Sequence, residues 1–406
     1  MADLDVATRS LPAHVRPESV IDYDAYFDRR FAEAGSLHGG IHQLGQEVGY
    51  GIFWTPRNGG HWLVNDHALL FDGVRDPALF SSSSMMIPPQ PDEPTLIPLF
   101  LDPPVHGPFR LPLMRALAPD KMKALEGAIR ALAVDMIENV KARASFDFVD
   151  AVAVPLPIGI FMTLMGMPTD RLEAYRRWVL DMLSDDVERR TSCFVNVHGL
   201  MGELIRERRI ERKGDLISDL IDAEIDGRPV TDDELQGYCL TLFSGGLDTI
   251  TNTMAFAVNQ LAEDSALQAR LRASPERAAD AVEEVLRRYA VAPASRIVMR
   301  DAEFGGVALK KGDRVMFLIA AANLDPKVFS DPMAFDLDRE NQAHITFNSG
   351  PHRCVGSHLA RLEMRIFLEE WLRLAPEVRL DPAGGRVYRA GPTLAIHKLP
   401  LVWAEG

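Results

Sequence analysis

Thr231-Asp232-Asp233-Glu234 opens a helix long enough to cross an entire domain. The Thr-x-x-Glu spacing is that of a capping box, and a helical apolar pattern follows it to about Asp264. At about 1.5 Å per residue this rod is roughly 50 Å long. The rest of the chain has to be built around it. Its middle reads Ser244-Gly245-Gly246-Leu247-Asp248-Thr249. Two glycines inside a helix cost about 1 kcal/mol each against alanine, so something must compensate. Two readings stand: another helix packs closely there, or a flat ligand lies against the backbone, with a local widening of the hydrogen-bond ladder. Thr249 lies four residues after Gly245, so its hydroxyl is expected to bond the Gly245 carbonyl.

A second feature lies near the C-terminus: Phe347-Asn348-Ser349-Gly350-Pro351-His352-Arg353-Cys354-Val355-Gly356. The cysteine sits in a loop that opens onto a helical pattern, with Val355, Leu359, Leu362 and Ile366 on one face. A thiolate is favoured at a helix N-terminus by the dipole and the free N–H groups. Gly350 and Gly356 permit close approach of a large group. One reading is an inert buried cysteine. The other is a sulfur bonded to the metal of a flat cofactor.

Composition narrows the choice. A net charge of −14 over 406 residues argues against nucleic acid and anionic membranes as partners. The three cysteines, Cys193, Cys239 and Cys354, are far apart and form no Cys-x-x-Cys, against a disulfide framework, a zinc ribbon or an ordinary iron–sulfur cluster. No signal peptide or membrane-length apolar run is visible, so a soluble cytoplasmic protein is expected.

Along the chain, residues 1–35 read as a loose arm, and Asn58-Gly59 marks the turn of a hairpin over 48–64. Residues 81–104 are rich in serine and proline and read as a stiff binding or access loop. Helical periodicity dominates 121–290; short strands are expected at 296–299, 307–309 and 315–319, and a hairpin over 387–403. The fold class is mainly α with small β-sheets, α+β, in one unit over 1–406.

The pattern Phe347-x-x-Gly350-x-x-x-Cys354-x-Gly356, together with Gly-Gly-Leu-Asp-Thr, resembles the cytochrome P-450 family. The runs Asn58-Gly59-Gly60-His61-Trp62, Asp102 to Arg110, Gly306 to Asp313 and Leu399 to Trp403 are similar to the bacterial camphor 5-monooxygenase subfamily. The resemblance implies a monooxygenase with haem b, its iron held by Cys354, between the long helix and the cysteine loop, with dioxygen as co-substrate. It makes Thr249 the alcohol and Asp248 the acid of a proton relay, and brings Gly245 against the haem. It also makes Glu284 and Arg287 a structural Glu-x-x-Arg pair. The arginine often added from a Pro-x-Arg-Phe segment is absent from Pro332-Met333-Ala334-Phe335, so it is missing or supplied otherwise. Arg110, Arg296 and His352, with His106, are the expected propionate donors.

The resemblance places Met86, Thr95, Leu96, Thr241, Ser244, Ala292, Pro392 and Thr393 on the substrate wall. The loop carries no tyrosine between Met85 and Leu101, where the camphor enzyme has a ketone donor, so a terpenoid or norisoprenoid other than camphor is expected. Electrons are expected from a [2Fe–2S] ferredoxin with an NADH-dependent ferredoxin reductase, and the protein is expected to be a monomer. The alternatives are camphor hydroxylation proper, a haem peroxygenase on the same fold, a hydrolase pairing Cys354 with His352 or His358, and a non-catalytic ligand binder.

Overall fold

The computed structural model describes residues 11–88, 96–182 and 186–404, without the side chains of residues 169 and 180. Asp232–Glu263 forms one continuous α-helix, as the capping box predicts: Thr231 Oγ1 accepts from the Glu234 N–H, and the Glu234 carboxylate accepts from the Thr231 N–H. The expected widening of its ladder is absent. Residues 250–259 are buried on every side, so this half is a core element. Halfway along, Gly245 and Gly246 are exposed. A Cβ added to either would meet nothing within 4 Å. The Gly-Gly step is therefore not a helix-packing notch.

Helices Pro155–Met165 and Val187–Ile210 pack against this rod. On another side Glu126–Lys141, Ala278–Arg288 and Ser357–Leu374 pack together. A short 3₁₀ turn, Pro275–Arg277, follows Ser274 and leads into the Glu284 helix, Ala278–Arg288.

The β part is a five-stranded sheet in the order Ile52–Thr55, His61–Val64, Arg314–Phe317, Ala294–Val298, Phe80–Ser81. Its hairpin turns at Asn58, Gly59 and Gly60, all at positive φ. The expected strand 307–309 pairs with Ala302–Phe304 in a separate hairpin. The tail divides: Val387–Arg389 pairs with Ala395–Lys398, whereas Pro400–Trp403 joins Val378–Leu380 and Ser145–Asp147.

The N-terminal arm is not loose over residues 11–35. Val15, Tyr23 and Ala25 are buried, Val20 bridges to Trp54, and His14 Nε2 lies 2.8 Å from Asp313 Oδ2. Arg30, itself buried, pairs with Asp28 and Glu47. Apolar residues spaced among charges gave no periodic signal, but tertiary contacts bury them.

Candidate functional site

The cysteine loop is held from below by a chain of buried polar bonds. Glu284 and Arg287 are both fully buried and bond bidentately at 2.7 Å. Arg287 also donates to the carbonyls of Asn323, Pro332 and Ala334. The third member of this network is Arg339, whose Nε lies 3.2 Å from Glu284 Oε1. It replaces the arginine absent from the Pro332–Phe335 segment. Asn323 passes the restraint on: its side chain donates to Thr346 Oγ1 and accepts from the Ile345 N–H. The Cys354 N–H then bonds the Phe347 carbonyl at 2.8 Å, closing the loop. Arg361 lies over the Phe347 ring at 4.6 Å and pairs with Glu283.

Gly350 is required here for a reason other than cofactor approach. Its φ is +70°, and a Cβ would come 3.0 Å from the Arg75 Cα. Gly356 leaves room beside the sulfur, a Cβ there lying 3.9 Å from Cys354 Sγ.

Cys354 is exposed at its surface although it lies deep in the protein. Burial pushes its thiol pKa up, opposed by the Gly356 N–H and by Arg110, Arg361 and Arg353. Contrary to the expectation from sequence, the helix terminus alone does not make a thiolate. A coordinated metal ion would, because a metal-bound thiol is deprotonated outright. Among the described residues no histidine bonds Cys354: His352 lies tilted against His106, ring centroids 4.2 Å apart, which disfavours a Cys–His hydrolase.

Four donors collect beside this loop. Arg296, on the strand Ala294–Val298, is buried, and its one hydrogen bond goes to the Ser295 carbonyl. Arg110, on helix His106–Ala116, donates to the Arg353 carbonyl. Neither makes an ion pair among the described residues. His106 and His352 each bury an Nε2 with no hydrogen-bond partner. Desolvation, reinforced by Arg296, His106 and Arg110, pushes His352 down to about 3. Desolvation and Arg110 lower His106 as well, so both rings are neutral at pH 7. Arg296, lowered to about 10 by burial, keeps its charge. Two guanidinium groups without an ion pair and two unsatisfied ring nitrogens suit anionic oxygens. The residues present fit a haem: Cys354 to hold the iron, this cluster to take two propionates.

On the central helix Thr249 Oγ1 donates to the Gly245 carbonyl at 3.0 Å, as expected. Asp248 is buried and accepts from Asn252 Nδ2 at 2.8 Å and from Thr393 Oγ1 at 2.7 Å. Desolvation raises its pKa against those two donors. Sequence reasoning missed Asn252, which was legible from its i,i+4 spacing, and placed Thr393 on the substrate wall, since nothing local connects it to Asp248.

The wall residues divide. Thr241 spends its hydroxyl on the Ile97 carbonyl at 2.8 Å, tying the loop over 81–104 to the helix. Ser244 buries its Oγ with no partner. Met86 and Leu96 are partly buried at the loop's two described edges, and Thr95 lies outside the described residues. Ala292 is partly buried and Pro392 is exposed.

Residues 129–374 match the cytochrome P450 family. The chain is similar to the structure of CYP101J2, with a TM-score of 0.90 and 33% identity, covering 98% of this chain and all of that one. It is 31% identical over 98% of both chains to the probable cytochrome P450 127A1 of Sinorhizobium fredii. It is also 31% identical to linalool 8-monooxygenase of Pseudomonas putida, covering 78% of this chain and 84% of that one. With a thiol at the mouth of a helix, a propionate-ready cluster and an acid–alcohol pair on the central rod, the chain belongs to the cytochrome P450 family of haem-thiolate monooxygenases.

Proposed function

We propose that this chain hydroxylates an unactivated C–H bond of a small apolar terpenoid or norisoprenoid that carries an oxygen function. Electrons come from an acidic [2Fe–2S] ferredoxin reduced by an NADH-dependent reductase. When bound, haem supplies activation of dioxygen and transfer of one oxygen atom to carbon. The protein supplies position, dryness and protons: Thr249 and Asp248 stand one residue apart on the helix, and Asp248 is screened from bulk water. Thr249→Ala is expected to keep NADH consumption but divert it to hydrogen peroxide. Product per NADH should fall about tenfold or more, measured by parallel assays of peroxide and product.

Ser244 carries the substrate reading. Thr249 and Thr253 back-bond to the carbonyls four residues earlier, satisfying their hydroxyls. Ser244 on the same helix does not. A ligand oxygen accepting from it offsets that unmet donor. A panel of terpenoids titrated by ferric spin shift tests this. Ser244→Ala should weaken an oxygenated ligand by about fivefold to tenfold, one hydrogen bond's worth, and leave its hydrocarbon analogue unchanged. Camphor should bind poorly; a tight camphor spin shift with a single product would overturn the substrate class.

In this reading the ferredoxin docks on the Cys354 side. Arg110 and the exposed Arg353 lie there, and Arg75 stacks over Phe71 at 4.7 Å. Leu111 and Met114, exposed on the Arg110 helix, add apolar contact. Few cations give modest steering, so partner choice rests on fit.

A further inference from the structure

We propose that Thr393, in the turn of the C-terminal hairpin, is a positioning residue that fixes the orientation and protonation of Asp248. Thr393 lies 145 residues from Asp248 in sequence, yet its hydroxyl donates to Asp248 Oδ2 at 2.7 Å. Asn252 holds the other oxygen at 2.8 Å. The acid therefore cannot turn without breaking one of these bonds. Both donors are neutral, so the carboxylate is held by geometry rather than by an ion pair.

The hydroxyl is itself fixed in place. The next residue, Leu394, donates its N–H to the Val291 carbonyl at 2.8 Å. Two residues before Thr393, Gly391 is buried, and a Cβ there would come 3.1 Å from the Tyr26 ring. The strands Val387–Arg389 and Ala395–Lys398 close the turn. The charged groups acting on Asp248 from elements packed on the helix are His397 and Arg389 of the same hairpin. A residue predicted on the substrate wall thus has its hydroxyl committed to the relay acid. The hairpin that borders the substrate position is wired directly to proton supply.

The inference rests on Asp248 as relay acid, but its first test does not. Infrared difference spectra of the holoprotein read the Asp248 carboxyl, identified by its loss in Asp248→Asn. In Thr393→Val the band should move to higher frequency, because a hydroxyl donor is gone. It should also persist to higher pH by about one unit or more, since that donor favours the carboxylate. Thr393→Ser should restore both. Thr393→Ala carries the same expectation should the valine variant fold poorly. An Asp248 band unchanged in frequency and pH range in both variants overturns the proposal. The second readout is turnover. If the protonated acid is the donor, the alkaline limb of the pH profile moves up with the band in Thr393→Val. A band that moves while the limb stays would refute Asp248 as relay acid and leave the Thr393 contact standing.

Discussion

Cys354→His is expected to yield a protein whose reduced carbon monoxide adduct lacks the red-shifted Soret band of thiolate ligation. Monooxygenase turnover should fall to background. The cause is local. Nitrogen ligation removes the electron-donating thiolate on which oxygen–oxygen cleavage depends. The fold should survive, because the loop is held by the Cys354 N–H bond to Phe347, the Asn323 clamp on residues 345 and 346, and Arg361 over Phe347, none of which uses the sulfur. Circular dichroism and haem content check the fold; the carbon monoxide spectrum checks the ligand. Retention of the red-shifted band in this variant would remove sulfur ligation from the account.

Arg287→Ala is expected to be the most destabilising of these substitutions. Both members of its pair with Glu284 are fully buried. Breaking such a pair from one side costs about 3–5 kcal/mol, because Glu284 stays buried with its bidentate partner gone and only Arg339, at 3.2 Å, to answer its charge. Here it also strips donors from three carbonyls, including that of Asn323, whose side chain grips the start of the cysteine loop. Arg287→Lys should recover little. One ammonium cannot serve both carboxylate oxygens and three carbonyls from a single point. Denaturant midpoint and haem per chain are the measurements, and both should fall together. A variant with lowered stability but full haem retention would uncouple the network from the loop.

Much of this was legible in residues that interact locally. The Thr231 capping box, the Thr249–Gly245 bond and the Glu284–Arg287 pair all lie within four residues, and each is as its spacing predicts. The cysteine loop was legible as a pattern, but Gly350 was legible for the wrong cause: its neighbour is the backbone of Arg75, in a part of the chain no local rule connects to it. Arg339 sits 55 residues from Glu284, and Thr393 sits 145 from Asp248. Contacts at such separations are set by how layers stack, which single-residue periodicity does not encode. The arm over 11–35 failed in the same way: its buried residues have no period because the arm is neither helix nor strand for most of its length.

That arm has a practical consequence. The Tyr26 hydroxyl donates to the Ile87 carbonyl at 3.0 Å, and Ile87 lies on the near edge of the Ser- and Pro-rich loop over 81–104. Trimming the chain past Tyr26 therefore removes a support of the loop expected to admit ligand. Ligand on-rates measured on protein shortened past Tyr26 would report the alteration as much as the enzyme.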